Sequence, residues 1–238
     1  MHTETFEYTD GTHTFEGHMA YDDSIASWRP CVLIGHAWGG LGDHERERAK
    51  ELAQLGYVGF AIDVYGKGLR GDPLGDNTKL MQPLLDDRTT LRKRLVAAVA
   101  AAKKHPMVDP ERIGAIGYCF GGLCALDLAR SAEPGVKGVV SIHGIFHPPK
   151  LGEQAPITAK VLILHGYDDP MAPPDHVLAV ARELTEAGAD WQLHAYGGTM
   201  HAFTAVGANM PERGIVYNAA AARRSWVAMK NFLEEALQ

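Results

Sequence analysis

The chain has 238 residues, 46% of them hydrophobic and 22% charged. That balance excludes a disordered chain and a disulfide-stapled miniprotein, and suits one large α/β domain spanning residues 1–238. Lys and Arg number 23 against 29 Asp and Glu, a net charge of −6 with neutral histidines, so the diffuse positive field of most nucleic-acid binders is missing. The longest apolar run, Leu95 to Ala102 between Arg94 and Lys103, is too short for a membrane span.

The first eight residues are polar and acidic, so neither a signal nor a transit peptide is expected. Asp10-Gly11 is a favoured hairpin turn and predicts a β-hairpin with Phe6 and Tyr8 opposite Phe15 and His18. Short apolar runs then alternate with longer helical stretches. Strands are expected at Cys31 to Ile34, Val58 to Ile62, Ile113 to Ile116, Val136 to Ile142, Val161 to Leu164 and Trp191 to Tyr196, and runs this rich in Val and Ile suit parallel strands covered on both faces. Helices are expected from an Asp43 cap to about Leu55, over Arg88 to Lys104, Leu123 to Arg130, Pro174 to Ala187 and Tyr217 to Leu237. Alternating β and α elements predict a mostly parallel, doubly wound sheet preceded by an antiparallel hairpin. Sites in such sheets lie at the carboxyl ends of the strands.

There the strand Ile113 to Ile116 runs into Gly117-Tyr118-Cys119-Phe120-Gly121-Gly122, a G-x-nucleophile-x-G elbow with Cys in place of Ser. A sharp strand-to-helix turn lifts the central side chain clear of the sheet, the flanking glycines let strand and helix crowd the turn, and the helix N-terminus favours a thiolate. The opposing reading makes Cys119 a small buried hydrophobe, which is the expectation for Cys31 and Cys124. Three cysteines without a CxxC fit a reducing, cytoplasmic setting.

After Val161 to Leu164 comes His165-Gly166-Tyr167-Asp168-Asp169-Pro170, and after Trp191 to Tyr196 comes Gly197-Gly198-Thr199-Met200-His201-Ala202-Phe203. These loops supply an acid and a base in the chain order of this fold's triads. Spacing alone leaves Asp168 and Asp169 both open. His165 and His194 read as packed strand residues. His143 and His147 have metal-like spacing, but Gly144 and Pro148-Pro149 oppose a helical ligand pair and no third ligand stands out.

Together these motifs resemble the dienelactone hydrolase family of the α/β-hydrolase superfamily, over most of the chain. The resemblance rests on the cysteine elbow, on His165-Gly166-x-x-Asp169-Pro170 and on Tyr196-Gly197-Gly198-x-x-His201-Ala202-Phe203. It is supported by His36-Ala37-Trp38-Gly39-Gly40-Leu41 with Asp43-His44, and by Gly56-Tyr57 leading to Asp63-Val64-Tyr65-Gly66. It implies an α/β-hydrolase fold with Cys119 as nucleophile, His201 as base and Asp169 as acid, and an oxyanion hole of the Trp38 and Phe120 backbone N–H groups. Many relatives carry a glutamate where this chain has Ala37, which leaves thiol activation to His201 and the helix N-terminus. Dienelactone-cleaving members also have an arginine shortly after the histidine, whereas here Ala202, Phe203, Thr204 and Ala205 follow, with no arginine until Arg213. Without that guanidinium fork for a carboxylate, neutral esters or lactones are the expected substrates.

The expected pocket is apolar, drawn from His36, Trp38, Tyr118, Phe203 and Met81, with Leu84 and Leu85 as further candidates that core packing equally explains. No cofactor or metal enters this chemistry, and the expected partner is a small-molecule ester, with no nucleic acid or membrane and a monomer or homodimer. Two further readings stand beside ester hydrolysis: attack of the thiolate on a neutral phosphotriester, and a non-catalytic ligand-binding homologue, since a fold alone never proves function.

Overall fold

The structure is a computed structural model that describes residues 1–72 and 75–238. It opens with the hairpin of β1 (His2–Thr9) and β2 (Thr14–Tyr21), closed by Asp10, whose Oδ1 accepts the N–H groups of Thr12 and His13 at 2.8 Å each. Tyr8 lies opposite Phe15, with the rings stacked 5.2 Å apart. The expected partners of Phe6 and His18 are corrected. Stepping away from the Tyr8–Phe15 pair places Phe6 opposite Gly17 and His18 opposite Thr5.

The chain continues through β3 (Arg29–Gly35), α1 (Asp43–Gln54), β4 (Val58–Ala61), α2 (Thr78–Asp86), α3 (Arg88–Lys103) and β5 (Val108–Tyr118). Then come α4 (Phe120–Arg130), β6 (Val136–Ile142), β7 (Lys160–Gly166), α5 (Pro174–Glu186), β8 (Trp191–Tyr196), β9 (Asn209–Met210), β10 (Ile215–Val216) and α6 (Ala219–Ala236). The main sheet runs β1-β2-β4-β3-β5-β6-β7-β8. β1 and β2 are antiparallel, β2 meets β4 antiparallel, and every pairing from β4 to β8 is parallel. This is the α/β-hydrolase architecture.

Period-2 alternation sorts the strand side chains onto two faces. Cys31, Leu33, Ile113, Ala115, Val161 and Ile163 join a core with α3, α4 and α5. Val32, Ile34, Ile116, Tyr118, Leu162 and Leu164 face the other way, onto α1 and α6. Under the first face, Arg88 makes a buried ion pair with Asp127, Arg130 bonds both Asp127 and Glu183, and Arg88 also donates to the His147 carbonyl. This network ties α3, α4 and α5 to the segment after β6, which fixes the helix behind the elbow. Among the described residues, no helix is long and apolar enough to cross a membrane.

Several local expectations are corrected. Asp43 is the first residue of α1 rather than its cap. The N-cap is Gly42, whose N–H is taken by the Glu45 carboxylate at 2.8 Å, half of a capping box supplied from inside the helix. α4 begins at Phe120, not Leu123, because Gly121 and Gly122 form its first turn. β5 starts five residues before the apolar run, paired at Val108 with Arg29. β8 is an edge strand, so His194 is exposed rather than packed. The short helix α2, with Pro83 inside it, and the two-residue strands β9 and β10 have no counterpart in the sequence pattern.

Candidate active site

The carboxyl ends of β3, β5, β7 and β8 converge as the doubly wound topology requires. At the end of β5 the backbone turns sharply at Cys119, with φ 57° and ψ −113°, a left-handed conformation that a non-glycine residue adopts only under strain. The strain is held from both sides: Cys119 N–H donates to the Ile142 carbonyl at 3.1 Å, and the Cys119 carbonyl accepts from Gly122 N–H at 3.0 Å. The close approach requires glycine at two positions. A Cβ at Gly117 would collide with the Gly121 carbonyl, and one at Gly121 with the Gly35 carbonyl. The result is a half-buried thiol at the N-terminus of α4.

β7 ends in the loop that carries the two aspartates. Asp169 is 2% exposed. Its Oδ1 accepts the Met171 N–H at 2.8 Å and its Oδ2 meets His201 Nδ1 at 2.7 Å. Asp168 points to solvent, and its N–H holds the Thr199 carbonyl at 2.9 Å. His201, 2% exposed, is clamped through its own backbone: its N–H donates to Gly214 O at 2.8 Å and its carbonyl accepts from Val216 N–H at 3.1 Å. The β9–β10 hairpin therefore acts as a bracket for the histidine loop. Asn218 completes it by capping α6 at Ala221 N–H and reaching Thr199 Oγ1 with its amide.

Burial alone would lower the His201 pKa. The negative charge of Cys119 and the hydrogen bond to Asp169 more than offset this and push it up to about 10. Among the described residues Nε2 is buried with no partner at hydrogen-bonding geometry, and the charge of Cys119 is the foremost cause that raises this ring's pKa. Such contacts commonly tighten only when substrate binds. Asp169 supports a positive ring from the Nδ1 side.

The Trp38 and Phe120 N–H groups both lack a hydrogen-bond partner among the described residues. Phe120 is the first residue of α4, where the N–H has no intrahelical acceptor. Trp38 is partly buried on the loop after β3, and Met81 lies partly buried on α2 against the core, with Leu85 alongside and Leu84 buried.

Three expected pocket residues are buried. Alternation along β5 sends Tyr118 to the face opposite the elbow's helix, where it is 4% exposed and edge-on to His44 at 4.7 Å. There it lines a cleft of about 160 Å³ with Arg48, Thr204 and Trp226. Phe203 is fully buried behind the site, edge-on to His143 and Tyr196. His36 is 1% exposed beneath the β3 loop and offers no surface to a ligand.

One neighbour of the histidine was not anticipated. His143 sits at φ 37° at the end of β6, edge-on to His201 at 5.2 Å, with Nε2 against Thr204 Oγ1 at 2.8 Å. Burial, and then the charge of His201, hold its pKa well below the usual histidine value, so it packs as a neutral ring. Its positive φ is invisible to sequence pattern. His147 lies elsewhere, exposed and edge-on to His176 at 5.3 Å. Among the described residues no group of three potential metal ligands assembles.

A family model described as "Dienelactone hydrolase family" matches residues 15–237. The chain belongs to the dienelactone hydrolase family. It is thereby a hydrolase of the ester- and lactone-cleaving kind. A solved structure titled a dienelactone hydrolase-like promiscuous phosphotriesterase, P91 from metagenomic libraries, is 34% identical, with a TM-score of 0.93 over 100% of this chain and 99% of its own. A putative carboxymethylenebutenolidase from Aquifex aeolicus is 27% identical over 88% of this chain and 89% of its own length. A probable 2-oxo-3-(5-oxofuran-2-ylidene)propanoate lactonase from Bradyrhizobium is 26% identical over 85% and 86%.

Proposed function

We propose that this dienelactone hydrolase family member cleaves small, neutral carboxylic esters or lactones through a Cys119–His201–Asp169 triad and a thioester intermediate. The observation that carries this reading is the pairing of His201 with buried Asp169 at 2.7 Å while Cys119 raises the same imidazole's pKa. The Cys119 thiolate attacks the carbonyl carbon, and the oxyanion gathers the unpartnered N–H groups of Trp38 and Phe120. As the tetrahedral adduct collapses, the His201 imidazolium gives its proton to the leaving alkoxide, leaving the acyl group on sulfur. Neutral His201 then takes a proton from water. The hydroxide adds to the thioester, and collapse expels the thiolate, releases the acid and restores the ion pair. Asp169 holds the proton on Nδ1 throughout and stabilises the charged ring.

Preference for a neutral substrate follows from what surrounds the histidine. Ala205 occupies the stretch just after it, and Arg213 is exposed beyond, its Nη1 turned to Met210 Sδ at 3.9 Å. A second reading, hydrolysis of neutral phosphotriesters by the same thiolate, is favoured by the 34% identity to the structure titled a promiscuous phosphotriesterase. The deciding experiment follows the p-nitrophenolate burst from p-nitrophenyl acetate and from a p-nitrophenyl dialkyl phosphate, each before and after thiol alkylation. The expected result is a burst and steady turnover with the acetate, both abolished by alkylation. Alkylation-resistant acetate hydrolysis overturns the cysteine mechanism, and faster turnover of the phosphotriester transfers the primary role to the second reading.

The charged pair also predicts a pH signature. With His201 raised to about 10, the imidazolium persists through neutral pH, so iodoacetamide is expected to alkylate Cys119 below pH 7, at a rate that falls in His201→Gln. A rate that follows one ionisation near an ordinary thiol's value of about 8.5 removes the resting pair from the mechanism.

A further inference from the structure

The loop between β3 and α1 carries one donor the proposed mechanism needs, the Trp38 N–H, and hydrogen bonds fix the peptides on either side of it. The Ala37 carbonyl accepts from Gly40 N–H at 3.1 Å and lies 2.7 Å from His36 Nδ1. The Trp38 carbonyl accepts the Tyr65 hydroxyl at 2.9 Å, and the Gly39 carbonyl accepts Gly71 N–H at 2.9 Å. Gly42 N–H is taken by Glu45, whose carboxyl pKa is raised by burial while the Gly42 and Ala37 N–H groups oppose the rise. The Trp38 N–H has no partner among the described residues, as is also true of the Gly39 and Leu41 N–H groups of this loop.

His36 decides which way that donor points. Its Nε2 lies 3.3 Å from Val64 N–H, a donor, so Nε2 must accept and the ring proton sits on Nδ1, where it is donated to the Ala37 carbonyl. Burial pulls the ring's pKa down to about 4, which keeps that acceptor available. In a trans peptide the C=O and N–H point in opposite directions, and the described residues contain no cis bond. Turning the Ala37 carbonyl onto the imidazole therefore turns the Trp38 N–H away from it. The ring is itself fixed between Tyr65, 4.7 Å away, which holds the next carbonyl, and Phe120, 6.1 Å away, which carries the other proposed donor.

We propose that His36 is a positioning residue of the oxyanion hole, acting as a neutral bridge from Val64 N–H to the Ala37 carbonyl that aims the Ala37–Trp38 peptide at the developing oxyanion. This rests on the proposed thioester mechanism and assigns His36 no contact with substrate. The function is met by any side chain that donates at one end and accepts at the other. Glutamine does so with its amide nitrogen and oxygen, and leucine does neither.

The test measures the acylation burst with p-nitrophenyl acetate in His36→Gln and His36→Leu, normalised to titratable Cys119, beside the rate of iodoacetamide alkylation. Alkylation displaces iodide at a saturated carbon and builds no oxyanion, so it reads the Cys119–His201 pair alone. His36→Leu is expected to acylate about 10²- to 10³-fold more slowly, the scale of one lost oxyanion donor, with KM within about threefold and alkylation unchanged. His36→Gln is expected to recover most of the acylation rate. Equal losses in Gln and Leu, or a parallel loss of alkylation, overturn the assignment. Should His36→Leu not fold, His36→Gln decides: a deficit of more than about tenfold with normal alkylation counts against the bridge. If Cys119→Ala abolishes turnover while His36→Leu acylates normally, the catalytic reading stands and this inference alone fails.

Discussion

Cys119→Ala is expected to abolish ester turnover, with kcat/KM reduced by at least about 10⁴-fold and no loss of folded protein. The size follows from the role. Removing a covalent nucleophile leaves only the oxyanion donors and binding, which in acyl-transfer enzymes retain a residual rate roughly 10³- to 10⁴-fold above water. Ten-thousand-fold corresponds to about 5.4 kcal/mol of lost transition-state stabilisation.

The fold is expected to survive because the elbow is held by backbone. Cys119 N–H reaches Ile142 O, and the Cys119 carbonyl serves Gly122 and Leu123, contacts alanine keeps. The left-handed φ of 57° strains alanine as it strains cysteine. The measurement is turnover of p-nitrophenyl acetate with circular dichroism and thermal melting of the same preparations. Turnover within tenfold of the parent in a folded variant rules out Cys119 as the nucleophile.

What the sequence made legible, and what it did not, divides along physical lines. The parallel strands were readable because both faces are covered, which forces runs such as Val161 to Leu164 to be apolar throughout. The elbow was readable because Gly117 and Gly121 have no steric alternative where strand and helix cross. The two aspartates could be separated only by resemblance, since burial of Asp169 and exposure of Asp168 depend on a loop closed through Thr199 and Met171. Side-chain direction in three dimensions is not written in sequence proximity. Tyr118 adjoins the nucleophile in sequence, yet strand alternation sends it to the α1–α6 face. Phe203 follows the histidine by two residues but turns into the core behind His143. The capping role of Glu45 was hidden because Gly42 has no side chain to announce a cap. The network behind the elbow is long-range, with Arg88 meeting Asp127 across 39 residues.

Asp169→Asn is expected to reduce kcat about 10³- to 10⁴-fold, the scale of the corresponding change in other hydrolytic triads, while Asp168→Asn changes it by less than about threefold. The asymmetry follows from hydrogen-bond bookkeeping at two adjacent residues. The Asp169 carboxylate accepts on both oxygens, from Met171 N–H at 2.8 Å and from His201 Nδ1 at 2.7 Å. An amide has one oxygen and one NH₂. With the oxygen toward Met171, the NH₂ faces His201 Nδ1 and forces the ring proton onto Nε2, where it cannot accept from the nucleophile or from water. With the oxygen toward His201, the NH₂ opposes the Met171 N–H, leaving a buried donor unpaired at a cost of about 1–3 kcal/mol. Either arrangement also removes the negative charge that helps raise the His201 pKa to about 10, so the imidazolium form weakens. Iodoacetamide alkylation of Asp169→Asn is therefore expected to move to higher pH. Asp168 contributes its backbone N–H to Thr199 while its side chain lies in solvent, and its substitution disturbs none of this. Steady-state kinetics with the alkylation profile of both variants make the comparison. A larger loss in Asp168→Asn than in Asp169→Asn would mean that the loop after β7 presents the other carboxylate to His201 during turnover.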